Sequence, residues 1–377
     1  MPQGTEPSPP FDWHPLLSWL LLVRCPPLAL RGRVLLLTAM ALALVWGLDR
    51  GLGIPADEDF RIARALEIST ANRPVAERTS AAFASELQQL PTRSWGHLRN
   101  AWWYFVGPFT QVAEGGEGWW RWTADVLRAL GRVAIWGFFG GALMRIAAFH
   151  LARGDSPDLS GALRFAWQRR GSFWSAPLLL IAGIAIVALP LLIVRLAMQV
   201  TWLANLAAVL WPLVLLAAFC LAIYLVGAVI GWPLIWATLA TDESDPFDAI
   251  SRTYAYVYQQ LLRLGGYLLV AFLSAWIFGM VVELLLMVTL YGSGYAMGLN
   301  VTPWGEPLIV RFESFAVWVA SLYFTAVIWT LAAGIYLLRR HDIDGLETDE
   351  VYLGDDPLFA PQPPLEATPQ RAPPTPA

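Results

Sequence analysis

The chain has 377 residues, 57% hydrophobic and only 14% charged, with a formal net charge of -4 and a mean hydropathy of +0.51. Soluble domains carry about 25% charged residues, so this composition excludes a string of soluble domains and points to a polytopic membrane protein. Lys is absent and all 25 basic residues are Arg, which removes Schiff-base and Walker-A chemistry, and no global basic field exists to hold nucleic acid.

In chain order, residues 1–28 read as a cytoplasmic tail with a short interfacial segment. The stretch HPLLSWLLLV at 14–23, closed by Cys25-Pro26-Pro27, is too short to cross about 30 Å of hydrocarbon. Residues 29–52 form the first span, kept as an anchor because no small-residue cleavage site follows it. Residues 53–122 are an outer-side segment that opens with the helix-like ADEDFRIARALEIST. Its second half carries six Trp between 95 and 122, among them Trp102, Trp103, Trp119 and Trp120, broken by Pro108 and Gly115-Gly116. Trp favours the bilayer interface because its ring is apolar while its N–H wants water, so this half reads as a Trp belt on a re-entrant or surface-lying helix. Cys25 and Cys220 fall in apolar stretches and read as small buried hydrophobes.

Residues 123–340 form a five-span membrane domain, with spans at 123–149, 174–198, 203–238, 262–291 and 313–338. The architecture is therefore all-α, a membrane bundle of about six spans. Pro190 and Pro212 are expected to bend their helices, and 203–238 is long enough to be one tilted helix or two. Arg24, Arg31 and Arg33, then Arg145, Arg153, Arg164, Arg169 and Arg170, then Arg252 and Arg263, and finally Arg339 and Arg340 all fall on one side of a six-span arrangement. By the positive-inside rule that side is the cytoplasm, and both termini lie there.

Two stretches on that side repeat one order of parts. Gly137-Phe-Phe-Gly-Gly141 precedes SPDLSGALRFAWQRR and then a span; Gly227-Ala-Val-Ile-Gly231 precedes DPFDAISRTYAYVYQQ and then a span. Gly227 lies 90 positions after Gly137, and Pro246 lies 89 after Pro157. G-x-x-x-G clears a helix face for close approach in lipid, with Gly137, Gly141, Gly227 and Gly231 as the packing positions. Ser156-Pro157 and Asp245-Pro246 each place a capping side chain before a Pro at the first helical position. The two stretches, 156–170 and 246–260, predict interfacial amphipathic helices in a parallel repeat, with Arg164, Arg169, Arg170 and Arg252 turned to water or phosphate.

Glu283, in FGMVVELLLMV, is the conspicuous ionisable group within a span, and such a residue marks a proton or cation path as its default reading. Arg195 and Glu313 lie toward outer span ends, where they snorkel or form a structural pair, or else pair with Glu283. Catalytic patterns are missing: there is no H-E-x-x-H, G-x-S-x-G or Walker A motif, and the sequence implies no catalytic residue, metal or cofactor. Gly292-Ser-Gly-Tyr-Ala-Met-Gly298 reads as a turn, and Asp242, Glu243, Asp245 and Asp248 as charges suited to a helix N-terminus. Residues 341–377 are a disordered tail with eight acids and eight Pro from 342 onward, its short apolar island at Val351-Tyr-Leu353 being a candidate docking point.

The segments WGFFGGALMRIAAFHLARGDSPDLSGALRFAW and GWPLIWATLATDESDPFDAISRTYAYVYQ resemble a family of uncharacterised multi-span integral membrane proteins from planctomycete-type bacteria. The likeness runs over most of the membrane region. It implies the cytoplasmic membrane of a bacterium, with no activity or catalytic residue to carry over. The leading expectation is a non-enzymatic membrane protein that organises lipid, a protein partner or further copies of itself, with no nucleic-acid partner. The alternative is a transporter or channel subunit that uses Glu283.

Overall fold

The computed structural model describes residues 19–53, 80–115, 118–242, 244–297 and 305–346. The helix-like stretch at 56–70, most of the C-terminal tail and its island at 351–353 lie outside them. The described residues form eleven helices and no strand. They are α1 (Leu20–Ala29), α2 (Gly32–Gly51), α3 (Ser80–Glu114), α4 (Trp119–Arg153), α5 (Leu159–Gln168), α6 (Arg170–Ala197), α7 (Thr201–Val209), α8 (Trp211–Thr241), α9 (Pro246–Tyr258), α10 (Leu261–Met297) and α11 (Gly305–Asp344). Six of them, α2, α4, α6, α8, α10 and α11, are long and apolar enough to cross a membrane. At 1.5 Å per residue even the shortest of these reaches about 30 Å, the thickness of the hydrocarbon layer. The fold is an all-α membrane bundle.

The ends of several elements follow from local chemistry. Gly154 closes α4 with φ of 77°, a conformation open to glycine because it lacks Cβ, and its N–H bonds to His150 O. Asp245 caps α9 by accepting a hydrogen bond from the Asp248 N–H, and Pro246 occupies the first helical position. The 203–238 stretch is divided: α7 ends at Val209, and α8 starts at Trp211 with Pro212 in its first turn. Residues 292–297, expected as a turn, continue α10, since Gly292 has a helical backbone and the apolar run before it carries the helix on.

The two predicted short helices are present as α5 and α9, each between two spans, and they mark one end of the bundle, here the near end. The cap expected at Ser156-Pro157 does not form: α5 starts two residues later, at Leu159, with Asp158 before it and no side-chain cap. The glycine pairs are used differently in the two units. Gly137 and Gly141 receive Trp174 and Phe173 of α6, so the returning span lies along α4. Gly227 and Gly231 receive Tyr254 and Thr253 of the short helix α9, while α10 packs on α3, α11 and α1 rather than back on α8.

Two elements depart from the interfacial places expected for them. Helix α1 continues through Pro26 and Pro27 and buries Leu22, Cys25 and Leu28 against α10 and α11, with Cys25 seated over Gly334. Burial pushes the Cys25 thiol up, in keeping with a buried hydrophobe, whereas Cys220 is exposed. Helix α3 packs into the bundle against α10, α4 and α11. Tryptophan also builds the core: Trp329 lies stacked between Trp136, at 5.3 Å between centroids, and Trp236, at 5.2 Å. Gly140 leaves the space that the Trp329 ring enters.

One part stands away from the core. Between residues 181 and 226, on α6, α7 and α8, Ala207 alone is buried. These helices pack on each other and present Ile186, Ile193, Leu196, Leu213 and Phe219 outward as an apolar arm.

Candidate functional site

Helix α3 owes its place to one stripe of buried residues. Glu86, Leu90, Ser94, His97, Leu98, Ala101, Phe105 and Pro108 recur at three- and four-residue spacing, so they share a face. The N-terminal half of that face is polar and meets α10; the C-terminal half is apolar, with Phe105 packed on Trp136, Trp232 and Trp329. Trp102 follows it inward, its ring 5.9 Å from Trp232. Trp103, Trp119 and Trp120 remain exposed.

Helix α10 presents Glu283 to this polar half. Measured from Leu261 at 1.5 Å per residue, the carboxylate lies about 33 Å from the near end, at the far boundary of a hydrocarbon layer. Glu283 is wholly buried and His97 is nearly so. The Ser94 hydroxyl donates to Glu283 Oε1 at 2.8 Å, and His97 Nε2 stands 3.4 Å from the same oxygen. That longer distance lies outside the ordinary range of an N–H···O hydrogen bond. Among the described residues, Glu283 Oε2 and His97 Nδ1 have no hydrogen-bond partner. Beside the pair, Arg93 reaches Glu86 at 3.5 Å, and the ring of Phe324 on α11 packs at 5.2 Å from the His97 ring.

The partners suggested by the sequence are not those the fold supplies. Arg195 is exposed on the arm, and Glu313 is buried on α11 toward the far end; neither contacts Glu283. Ser94 and His97 were not singled out in the sequence. Their signal was the i, i+3 placement of two polar side chains within the stripe Leu90, Leu98 and Ala101, visible only when α3 is read as a packed helix.

A second buried cluster also escaped the sequence reading. Asp49 on α2 accepts Arg132 at 3.0 Å and lies 3.2 Å from Arg128 Nε, both on α4. Arg128 reaches Gln111 at 2.9 Å, and Arg132 reaches Tyr104 O at 3.1 Å, so α3 is tied to α2 and α4.

At the near end, the interfacial arginines divide. Arg164 is exposed, and Arg170 folds over Trp167. Arg169 turns inward instead and donates to Asp242 O at 2.7 Å, because the last carbonyls of α8 lack helical partners. Arg252 pairs with Asp248 at 2.9 Å and Asp242 at 3.6 Å. Asp242 belongs to the end of α8, where it also accepts from the Tyr336 hydroxyl at 2.7 Å. Residues 341–344, expected in the disordered tail, form the last turn of α11: Asp342 pairs with Arg263 at 2.7 Å, and Asp344 accepts from Tyr256.

Among the described residues no three His, Cys, Asp or Glu side chains gather as metal ligands. The chain matches no family model, no curated protein and no solved structure.

Proposed function

We propose that this chain is a non-enzymatic integral component of a bacterial cytoplasmic membrane that organises lipid or a protein partner. Its near end faces the cytoplasm, with both termini there. The observation that carries the reading is the arm, whose apolar side chains from 181 to 226 find almost no cover among the described residues. An apolar surface of this size is stable only against lipid or another apolar surface. The capped and ion-paired helix α9, with the Arg169 contact to the end of α8, supplies a base at the near end from which the arm extends.

The test is photocrosslinking in native membranes, with the full chain carrying a photoreactive residue at Ile193 or Phe219. A stoichiometric protein adduct at both positions supports partner binding, and adducts to lipid alone support lipid organisation. Proteoliposomes supply the opposing result: solute or proton flux carried by the purified chain and abolished in Glu283→Gln overturns the reading in favour of transport.

A further inference from the structure

Burying a carboxylate at the end of an otherwise apolar span carries a large desolvation cost, and a cluster at such a place approaches electrical neutrality. Glu86, Arg93, Glu283 and His97 gather on the polar half of the α3 face and on α10, and Arg93 offsets one of the two carboxylates. The other is offset only when the carboxylate and imidazole hold one proton between them. Among the described residues, no further ionised side chain is seen to reach Glu283 or His97 from the elements packed on α10. From α11 come the Phe324 ring and Tyr323, whose hydroxyl is committed to Ala275 O at 3.1 Å. Arg311 on α11 is exposed, and Glu313 is placed further toward the far end. Cys25 of α1 sits at Gly334 of α11, and Arg263, near α9, is engaged by Asp342 at the near end.

We propose that Glu283 of α10, with His97 and Ser94 of α3, forms a proton-binding site at the far end of the bundle. In its resting form the carboxyl and imidazole groups share one proton, and Ser94 donates to Oε1. Uptake of a second proton gives a neutral carboxylic acid beside an imidazolium, a gain of one positive charge. Loss of the shared proton leaves a carboxylate facing a neutral imidazole. Oε2 and Nδ1, which have no hydrogen-bond partner among the described residues, are the positions at which a proton is received or passed on. The site does not depend on the arm or on the scaffold reading, and its failure leaves that reading untouched.

Infrared difference spectroscopy on the full chain in lipid nanodiscs, recorded across a pH series, reads the carboxyl protonation directly. A carbonyl band of a protonated carboxylic acid is expected to appear as the pH falls and to be absent in Glu283→Gln. In His97→Gln the titration should move by about one pH unit or more, a tenfold change in proton concentration, because the imidazole no longer shares the charge. A merely structural histidine would leave it in place. Ser94→Ala, which removes one hydroxyl, keeps the test alive if Glu283→Gln does not fold: losing a donor to the carboxyl should shift the band to higher frequency. A wild-type protein with no titrating band, or a band indifferent to both His97→Gln and Ser94→Ala, overturns the proposal.

Discussion

Arg145 on α4 donates a hydrogen bond of 2.8 Å to the carbonyl oxygen of Ala240 on α8, so a side chain of the first repeat unit closes a helix end in the second. The guanidinium is held between the rings of Phe149, at 4.2 Å, and Phe165, at 4.1 Å. A planar cation suits both contacts, since it stacks on aromatic faces while its edge donates. The carbonyls at a helix C-terminus carry partial negative charge, which favours a cation there.

Arg145→Met is therefore expected to keep the packing and lose the cap, at a cost of about 1.5–3 kcal/mol. Arg145→Lys should recover only part of this, because an ammonium cannot stack between two rings. Thermal unfolding in detergent checks both; an unchanged midpoint in Arg145→Met would remove the capping role.

The pairing of Asp49 with two guanidiniums predicts an asymmetric response. Asp49→Asn leaves Arg128 and Arg132 buried beside each other without their shared carboxylate and should destabilise by about 3–5 kcal/mol. The loss should also free α3, which Arg128 and Arg132 hold through Gln111 and Tyr104. Hydrogen exchange in 98–114 is expected to rise with the fall in stability; exchange there equal to that of the parent protein would contradict the tie.

Glycine gives a contrast within one protein. A methyl group added at Gly141 would lie 2.8 Å from the Phe173 ring, whereas one at Gly292 would meet nothing within 4 Å. Gly141→Ala should cost about 1–3 kcal/mol through overpacking, and less when combined with Phe173→Leu. Gly292→Ala should be neutral or stabilising by up to about 1 kcal/mol, because alanine favours a helix interior. Destabilisation by Gly292→Ala would restore the turn expected from its Gly-rich sequence.

Alkaline pH tests the near-end contact between α9 and α11. Burial first, and then the hydrogen bond to Asp344, raise the Tyr256 phenol well above its ordinary value of 10.0. The neutral form is thus favoured in the folded chain. Its contribution is complete below the unfolded value and is lost as pH climbs above about 10, at up to about 1.4 kcal/mol per pH unit. Urea unfolding between pH 9 and 12 should show a steeper loss for the parent than for Tyr256→Phe, at about pH 10 and above. Parallel curves would exclude Tyr256 as a source of that loss.

The spans were readable because a run of apolar residues has one low-energy environment, and its length is fixed by the bilayer. At the near end Asp245-Pro246 was readable for a similar reason, as a local capping signal that acts within one turn, whereas Ser156-Pro157 lies ahead of α5 and does not cap it. Helix α3 was harder. Its Trp residues suit an interface as well as a core, and the difference lies in whether other helices surround them. Trp102 packs inward while Trp103, its neighbour in the chain, points out, a distinction set by helix phase and by the position of Trp232.

Composition and local pattern alone determined an all-α membrane bundle, six spanning helices, two short helices between spans, and Glu283 as an unusual charge. The tertiary structure decided what each of these meets. Glu283 is paired with Ser94 and His97, 189 and 186 positions away in the chain, rather than with Arg195 or Glu313. It also decided that the similar glycine pairs receive different partners and that the 181–226 arm lacks cover. Hydropathy records the preference of a residue for lipid or water, and that preference is nearly the same for a side chain facing lipid and one facing another helix. Only the packing of distant segments separates the two.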